Sequence, residues 1–192
     1  MNLPNLITVS RLVLTAAVFV CLEWIADPLH PEPALVWIAF VLFLIAAFTD
    51  FLDGYLARKW QMVTAFGRVA DPFADKVLIG GSFITLLQFP AVTTTHAITT
   101  WYVVIVIARE FLVTSIRGVV EASGKPFPAD RLGKWKMVTQ CWTVGALMTM
   151  VAGTDIWIWA ATLGFWVSLT LTVVSGLNYV WKAREILFHG AR

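Results

Sequence analysis

Asp50-Phe51-Leu52-Asp53-Gly54-Tyr55-Leu56-Ala57-Arg58 follows one residue after the apolar Ala46-Ala47-Phe48, and eight residues later comes Gly67-Arg68-Val69-Ala70-Asp71-Pro72-Phe73-Ala74-Asp75. On a helix turning roughly 100° per residue, Asp50, Asp53, Gly54 and Ala57 fall within an arc of roughly 100°. Gly67, Asp71 and Asp75 fall within an arc of roughly 80° by the same count. Two facing helices would therefore converge four carboxylates on one point, with small residues beside them. Like charges repel and raise one another's pKa, so such a cluster does not form for stability. A divalent metal between them is the economical explanation.

Working outward, the chain has 192 residues, 59% of them hydrophobic, and a mean hydropathy of +0.78. Soluble domains have a smaller apolar share. The composition therefore predicts an all-α integral membrane protein. Apolar runs at 12–26, 34–52, 77–92, 97–116, 137–153 and 156–181 predict six transmembrane helices in a single domain, 1–192. Spanning the hydrocarbon takes about 20 helical residues, so the first helix is expected to begin before its short run and to carry Arg11 near the membrane surface. Residues 12–22 resemble a signal-peptide core, but Glu23-Trp24-Ile25-Ala26-Asp27 is a poor cleavage site, and the segment is read as a retained helix.

With six spans, all 14 lysines and arginines fall on one side or on the inner half of a helix. The opposite loops hold Glu23, Asp27, Glu32 and Asp155 instead. The positive-inside rule then places both termini and the aspartates in the cytoplasm, with the protein multi-pass in the inner (cytoplasmic) membrane. Cys21 and Cys141 both lie in apolar spans and indicate neither a disulfide framework nor a zinc site. Trp24, Trp37, Trp101, Trp157, Trp159 and Trp181 are expected at the interface or facing lipid. No nucleic-acid partner is expected.

A solvated helix cap is the plain reading of acidic residues near membrane ends. It fits Asp130 or Glu185, but not acids on a helix that has not ended; near-membrane acids of that kind are functional by default. An all-oxygen shell suits Mg²⁺ or Mn²⁺, and two such ions about 4 Å apart would need bridging carboxylates. Small residues and Arg58 beside them suit a pyrophosphate, with in-line displacement at phosphorus as the chemistry. A divalent-cation pathway is the competing reading. The acids, however, sit at one face rather than the midplane, and no second cluster lines an exit.

The string Asp50-x-x-Asp53-Gly54-x-x-Ala57-Arg58, eight residues, Gly67-x-x-x-Asp71-x-x-x-Asp75 resembles the signature of the CDP-alcohol phosphatidyltransferases at every defined position. That family moves a phosphatidyl group from a CDP-linked lipid to an alcohol and releases CMP. The resemblance implies two divalent cations, one on Asp50, Asp53 and Asp71 and the other on Asp50, Asp71 and Asp75. It implies Asp75 as the base for the attacking hydroxyl, and CDP-lipid contacts at Gly54, Ala57, Arg58, Thr64 and Gly67. A homodimer through membrane helices is implied as well. Asn5 and Thr8 join the nucleotide side on one reading, while a local helix cap competes for Asn5.

The signature does not name the acceptor. Arg109 stands deep in the fourth span and projects within roughly 80° of Arg117 on a helix. Lys134 and Lys136 open the fifth. Several cations beside the metals would suit an acceptor carrying its own phosphate. Against this, Arg109 can be a counter-ion for Glu110 or a snorkelling side chain. The two lysines can be membrane anchors, and they point to opposite helix faces. Closer resemblance favours the acceptor role. Asn2-Leu3-Pro4-Asn5-Leu6-Ile7-Thr8 with Arg11, Ala108-Arg109-Glu110, Ser115-Ile116-Arg117 and Gly133-Lys134-Trp135-Lys136 look like the bacterial members that make phosphatidylglycerophosphate from CDP-diacylglycerol and sn-glycerol 3-phosphate. Ala70 and Met137 depart from that pattern, where Leu and Thr are common. The cardiolipin-forming members tend to carry Asn where Lys136 stands. Phosphatidylglycerol or an inositol phosphate remains the alternative acceptor.

Overall fold

The computed structural model describes residues 3–60, 65–122 and 131–189, with side chains described for 5–49, 67, 69–121, 132–154 and 156–184. Among these residues the chain is helical and contains no strand. Six long helices carry the fold: α1 (Leu3–Glu23), α2 (Pro33–Trp60), α3 (Ala65–Leu86), α5 (Thr100–Ala122), α6 (Arg131–Val151) and α7 (Ile158–His189). A short helix α4 (Pro90–Thr94) and a 3₁₀ turn (Asp155–Trp157) lie in connections.

The breaks follow local chemistry. The apolar run 77–92, expected as one span, is divided: α3 stops at Leu86, and Phe89 is extended at φ −86°, ψ 120° before Pro90 opens α4. Proline disfavours the helical region for the residue before it and is well placed at a first helical position. α6 closes on Gly153 at φ +90°. The Thr154 N–H donates to the Thr149 carbonyl and the Gly153 N–H to the Met150 carbonyl, a Schellman closure that favours glycine at that position. α1 starts at Leu3, ahead of its apolar run as expected, so Asn5 lies inside the helix rather than at a cap.

Several hydroxyls within the helices are satisfied locally. Thr15, Thr49, Thr143, Thr162 and Thr170 each donate to a carbonyl four residues back, which lets apolar helices carry polar side chains without exposing a donor. Close packing uses small residues, as expected where lipid supplies no hydrophobic drive between helices. A Cβ on Gly81 would stand 2.2 Å from the Phe19 ring, and one on Gly164 would stand 2.6 Å from Thr143 Oγ1.

The packing is uneven. α1 lies along α2, α6 along α7, and α5 against α7, whereas α3 meets α5 and α6 only sparsely. One end of the bundle is dry. Phe83 stands edge-on to Tyr102 with ring centroids 5.2 Å apart, Tyr102 meets Phe165 at 4.9 Å, and the Tyr102 hydroxyl is 2.7 Å from Ser168 Oγ. Asn5–Glu23 and Ile158–Arg184 are long and apolar enough to cross a membrane, and Pro33–Thr49 is a shorter apolar helix. α3, α5 and α6 carry charges within their length. All six tryptophans named above are exposed on the bundle surface.

Candidate active site

α2 runs unbroken through Asp50, Asp53, Gly54, Ala57 and Arg58 to Trp60. This matches the expectation that the first half of the motif lies on a helix that has not ended. Those five side chains, and Thr64 entirely, lie outside the described residues. The second half is described. Gly67 is buried, and Asp71 and Asp75 follow one helical turn apart on α3. Pro72 lies between them inside the helix and has no N–H to donate to the carbonyl four residues back.

α1 holds both carboxylates. Thr8 Oγ1 donates to Asp71 Oδ1 at 2.6 Å, and Arg11 Nη1 donates to Asp75 Oδ1 at 2.9 Å. Residues three apart on one helix thus meet residues four apart on the other, both spacings keeping one face. Arg11 is completely buried within the bundle, at 0% exposure. Its charge is tolerated there because a carboxylate meets it. The partner lies 64 residues along the chain, so no local pattern marks Arg11.

The donor set suits a hard divalent cation. Asp71 and Asp75 present carboxylate oxygens, and neither His nor Cys is among the described residues lining the adjoining cavity. Thr8 and Arg11 orient the carboxylates as outer-shell partners do in metal sites.

That cavity, of about 710 Å³, opens between α3, α5 and α6 and takes in Asp71 and Asp75 together with Arg109, Arg117, Lys134 and Lys136. All four cations singled out in the sequence therefore border one space with the acid pair. Arg109 is buried. Its Nη1 donates to Glu110 Oε1 at 3.0 Å and its Nη2 to Ser175 Oγ at 2.9 Å, and its guanidinium carbon is 5.6 Å from the centre of the Tyr179 ring. The counter-ion role open for Arg109 in the sequence is thus observed, alongside its place in the cavity wall. Lys136, also buried, donates from Nζ to the same Glu110 oxygen at 2.5 Å. Lys134 is exposed, in keeping with the opposite faces its spacing implied. Arg117 Nη2 reaches the Tyr179 hydroxyl at 3.4 Å. The Nε atoms of Arg109 and Arg117 are buried without a hydrogen-bond partner.

Sequence reasoning did not single out Ser175 and Tyr179, and treated Glu110 only as a counter-ion. A serine and a tyrosine in a long apolar run give no local signal. Asn5 and Thr8 lie on the first turns of α1, with Thr8 on the acid pair.

The helical bundle thus brings carboxylates and cations around one cavity, an arrangement that can take a charged ligand. Residues 1–174 match the CDP-alcohol phosphatidyltransferase family model, and the chain belongs to that family. It is similar to the CDP-diacylglycerol–glycerol-3-phosphate 3-phosphatidyltransferase of Bacillus subtilis, 36% identical over 97% of each chain. Relatives of the same name in Rickettsia typhi and Haemophilus influenzae are 33% and 30% identical. Each alignment covers 97% of this chain, with 99% and 95% of the respective relative.

Proposed function

We propose that this chain transfers the phosphatidyl group of CDP-diacylglycerol to sn-glycerol 3-phosphate, giving phosphatidylglycerophosphate and CMP. The observation that carries the reading is one cavity bordered by the motif carboxylates on α3 and by buried cations on α5 and α6. The names of its relatives support the same donor and acceptor.

In this reading the acceptor phosphate sits among Arg109, Arg117 and Lys136, with Lys134 at the exposed margin. The Nε–H groups of Arg109 and Arg117, which make no hydrogen bond, are donors for its oxygens, with Glu121 4.0 Å from Arg117 Nε as the competing anion. The acceptor hydroxyl then faces Asp75, which takes its proton as the oxygen bonds to the phosphatidyl phosphorus and the bond to the CMP oxygen breaks. Arg11 holds the Asp75 carboxylate in place through that transfer. Asn5, Thr8, Gly54, Ala57, Arg58, Thr64 and Gly67 form the CDP-lipid side. Two Mg²⁺ or Mn²⁺ ions held by Asp50, Asp53, Asp71 and Asp75 would supply charge neutralisation and in-line alignment. An open space at the acids and a dry aromatic end fit a reaction at one membrane face.

The wider architecture belongs to the proposal: one domain over 1–192, six transmembrane helices, both termini cytoplasmic, and a homodimer in the inner membrane. The segregation of all 14 lysines and arginines supports the orientation. Release of CMP by the purified chain tests the reaction. CDP-diacylglycerol is supplied with Mg²⁺ or Mn²⁺ and, separately, glycerol 3-phosphate, phosphatidylglycerol, an inositol phosphate or serine. Phosphatidylglycerophosphate from the first acceptor alone is the expected product. Turnover only with another alcohol would keep the chemistry and replace the acceptor.

A further inference from the structure

We propose that Tyr179 is a positioning residue that gathers Arg109 and Arg117 into one phosphate-binding unit. The inference deepens the acceptor reading above and rests on it. The two arginines are eight residues apart on α5, a rise of about 12 Å along the axis. Their guanidinium groups also repel each other. A single phosphate can use both only if something draws the two side chains together.

Tyr179 contacts both. It is buried on α7, borders the cavity, places its ring 5.6 Å from the Arg109 guanidinium carbon, and accepts from Arg117 Nη2 at 3.4 Å. One turn earlier on the same face, Ser175 accepts from Arg109 Nη2 at 2.9 Å. A carboxylate in that place would also hold two arginines, but it would neutralise them. A phenol does otherwise: its face attracts a cation through the ring quadrupole and its oxygen accepts a hydrogen bond, so it adds no negative charge to those already facing the arginines, Glu110 on Arg109 and the more exposed Glu121, 4.0 Å from Arg117 Nε. Glu110 makes the contrast within the same cavity. It takes one bond each from Arg109 and Lys136, and so consumes charge where Tyr179 preserves it. The buried Nε–H groups of both arginines stay unfilled. Leaving a buried donor unmade is costly, and an anion between the two arginines supplies the acceptors.

The test uses the full chain with CDP-diacylglycerol, measuring KM for glycerol 3-phosphate and for the CDP-lipid separately in Tyr179→Phe and Tyr179→Leu. Leucine removes ring and hydroxyl, and is expected to raise the KM for glycerol 3-phosphate about tenfold while the KM for the CDP-lipid moves less than about twofold. Phenylalanine keeps the ring and is expected to raise it only about two- to threefold. Inhibition by inorganic phosphate, competing with glycerol 3-phosphate, should weaken in the same order. Equal rises in both KM values, or an unchanged KM for glycerol 3-phosphate in the leucine variant, would overturn the proposal. If the leucine variant does not fold, Tyr179→Phe decides alone, and unchanged KM and phosphate inhibition would overturn it. A native chain that makes no phosphatidylglycerophosphate overturns the acceptor reading instead, and the two failures are told apart by the native control.

Discussion

α3 and α5 close on Phe165 of α7 at one end of the bundle and line a cavity with α6 at the other. At the closed end Phe83, Tyr102 and Phe165 fill the space with rings, and the one hydroxyl among them finds Ser168. At the open end α3, α5 and α6 surround about 710 Å³ bordered by charges, with Tyr179 of α7 in the wall. A single stripe of α7 serves both. Ser168, Thr172, Ser175 and Tyr179, spaced four, three and four apart, hold Tyr102, Gln140, Arg109 and Arg117 in turn. The partners change from neutral to cationic along that stripe. The contrast lies in the charge of what is left unbonded: near the aromatic end the buried hydroxyls of Ser82 and Thr99 lack a hydrogen-bond partner, while at the charged end the Nε–H of both arginines lacks one. An anion would complete the cationic donors and not the hydroxyls.

The largest expected effects break the charged end alone. Asp75→Asn should lower turnover about a hundredfold or more, since it removes the proposed base. Asp71→Asn should leave less than about a tenth of native activity. CMP release measures both, and thermal denaturation in detergent should find Asp71→Asn close to native and Asp75→Asn less stable, since it takes the charge partner at 2.9 Å from the buried Arg11. Next comes Arg11→Met, which leaves the Asp75 carboxylate without its buried partner. It should cost about 3 kcal/mol, the lower end for a broken buried pair because Asp75 keeps partial exposure. A double change of Arg11→Met with Asp75→Leu should recover much of that stability and none of the activity, which separates holding from chemistry.

Gly81→Ala strikes the packing between α1 and α3 instead. Its new methyl meets the Phe19 ring, so a loss of about 1–3 kcal/mol is expected with both KM values unchanged. Smallest should be Lys134→Ala, exposed at the cavity margin, which should alter the KM for glycerol 3-phosphate less than about twofold. Lys136→Ala, buried on Glu110, should raise it several times more than Lys134→Ala. Reversal of that order would sharpen the picture by moving the acceptor toward the exposed lysine.

The helices were largely legible in the sequence, because each apolar run of the right length has to satisfy its own backbone. The division at Leu86 was missed since hydropathy continues across Pro90 while the backbone does not. The aspartates of α3 were legible because their spacing of four repeats the helical turn. Arg109 and Arg117 were legible as misfits among apolar neighbours. The partner of Arg11 was not legible, because a cation near a helix start looks the same whether it snorkels or pairs with a distant carboxylate. Tyr179 was invisible for a related reason: a tyrosine in an apolar run reads as packing until its neighbours in space are known.

The paired bonds from Thr8 to Asp71 and from Arg11 to Asp75 also bear on how the molecule is put together. α1 and α3 are separated in the chain by α2, yet they are fastened at two points that share one alignment. Sliding α1 by a single residue shifts it about 1.5 Å and rotates it about 100°, which undoes both fastenings together. No neighbouring alignment restores either, since the flanking Ile7, Val9, Ser10 and Leu12 offer no second Thr and Arg at that spacing. The first helix thereby acts as a quality gauge: a copy in which it settles at the wrong depth carries every residue of the site and still cannot arm it.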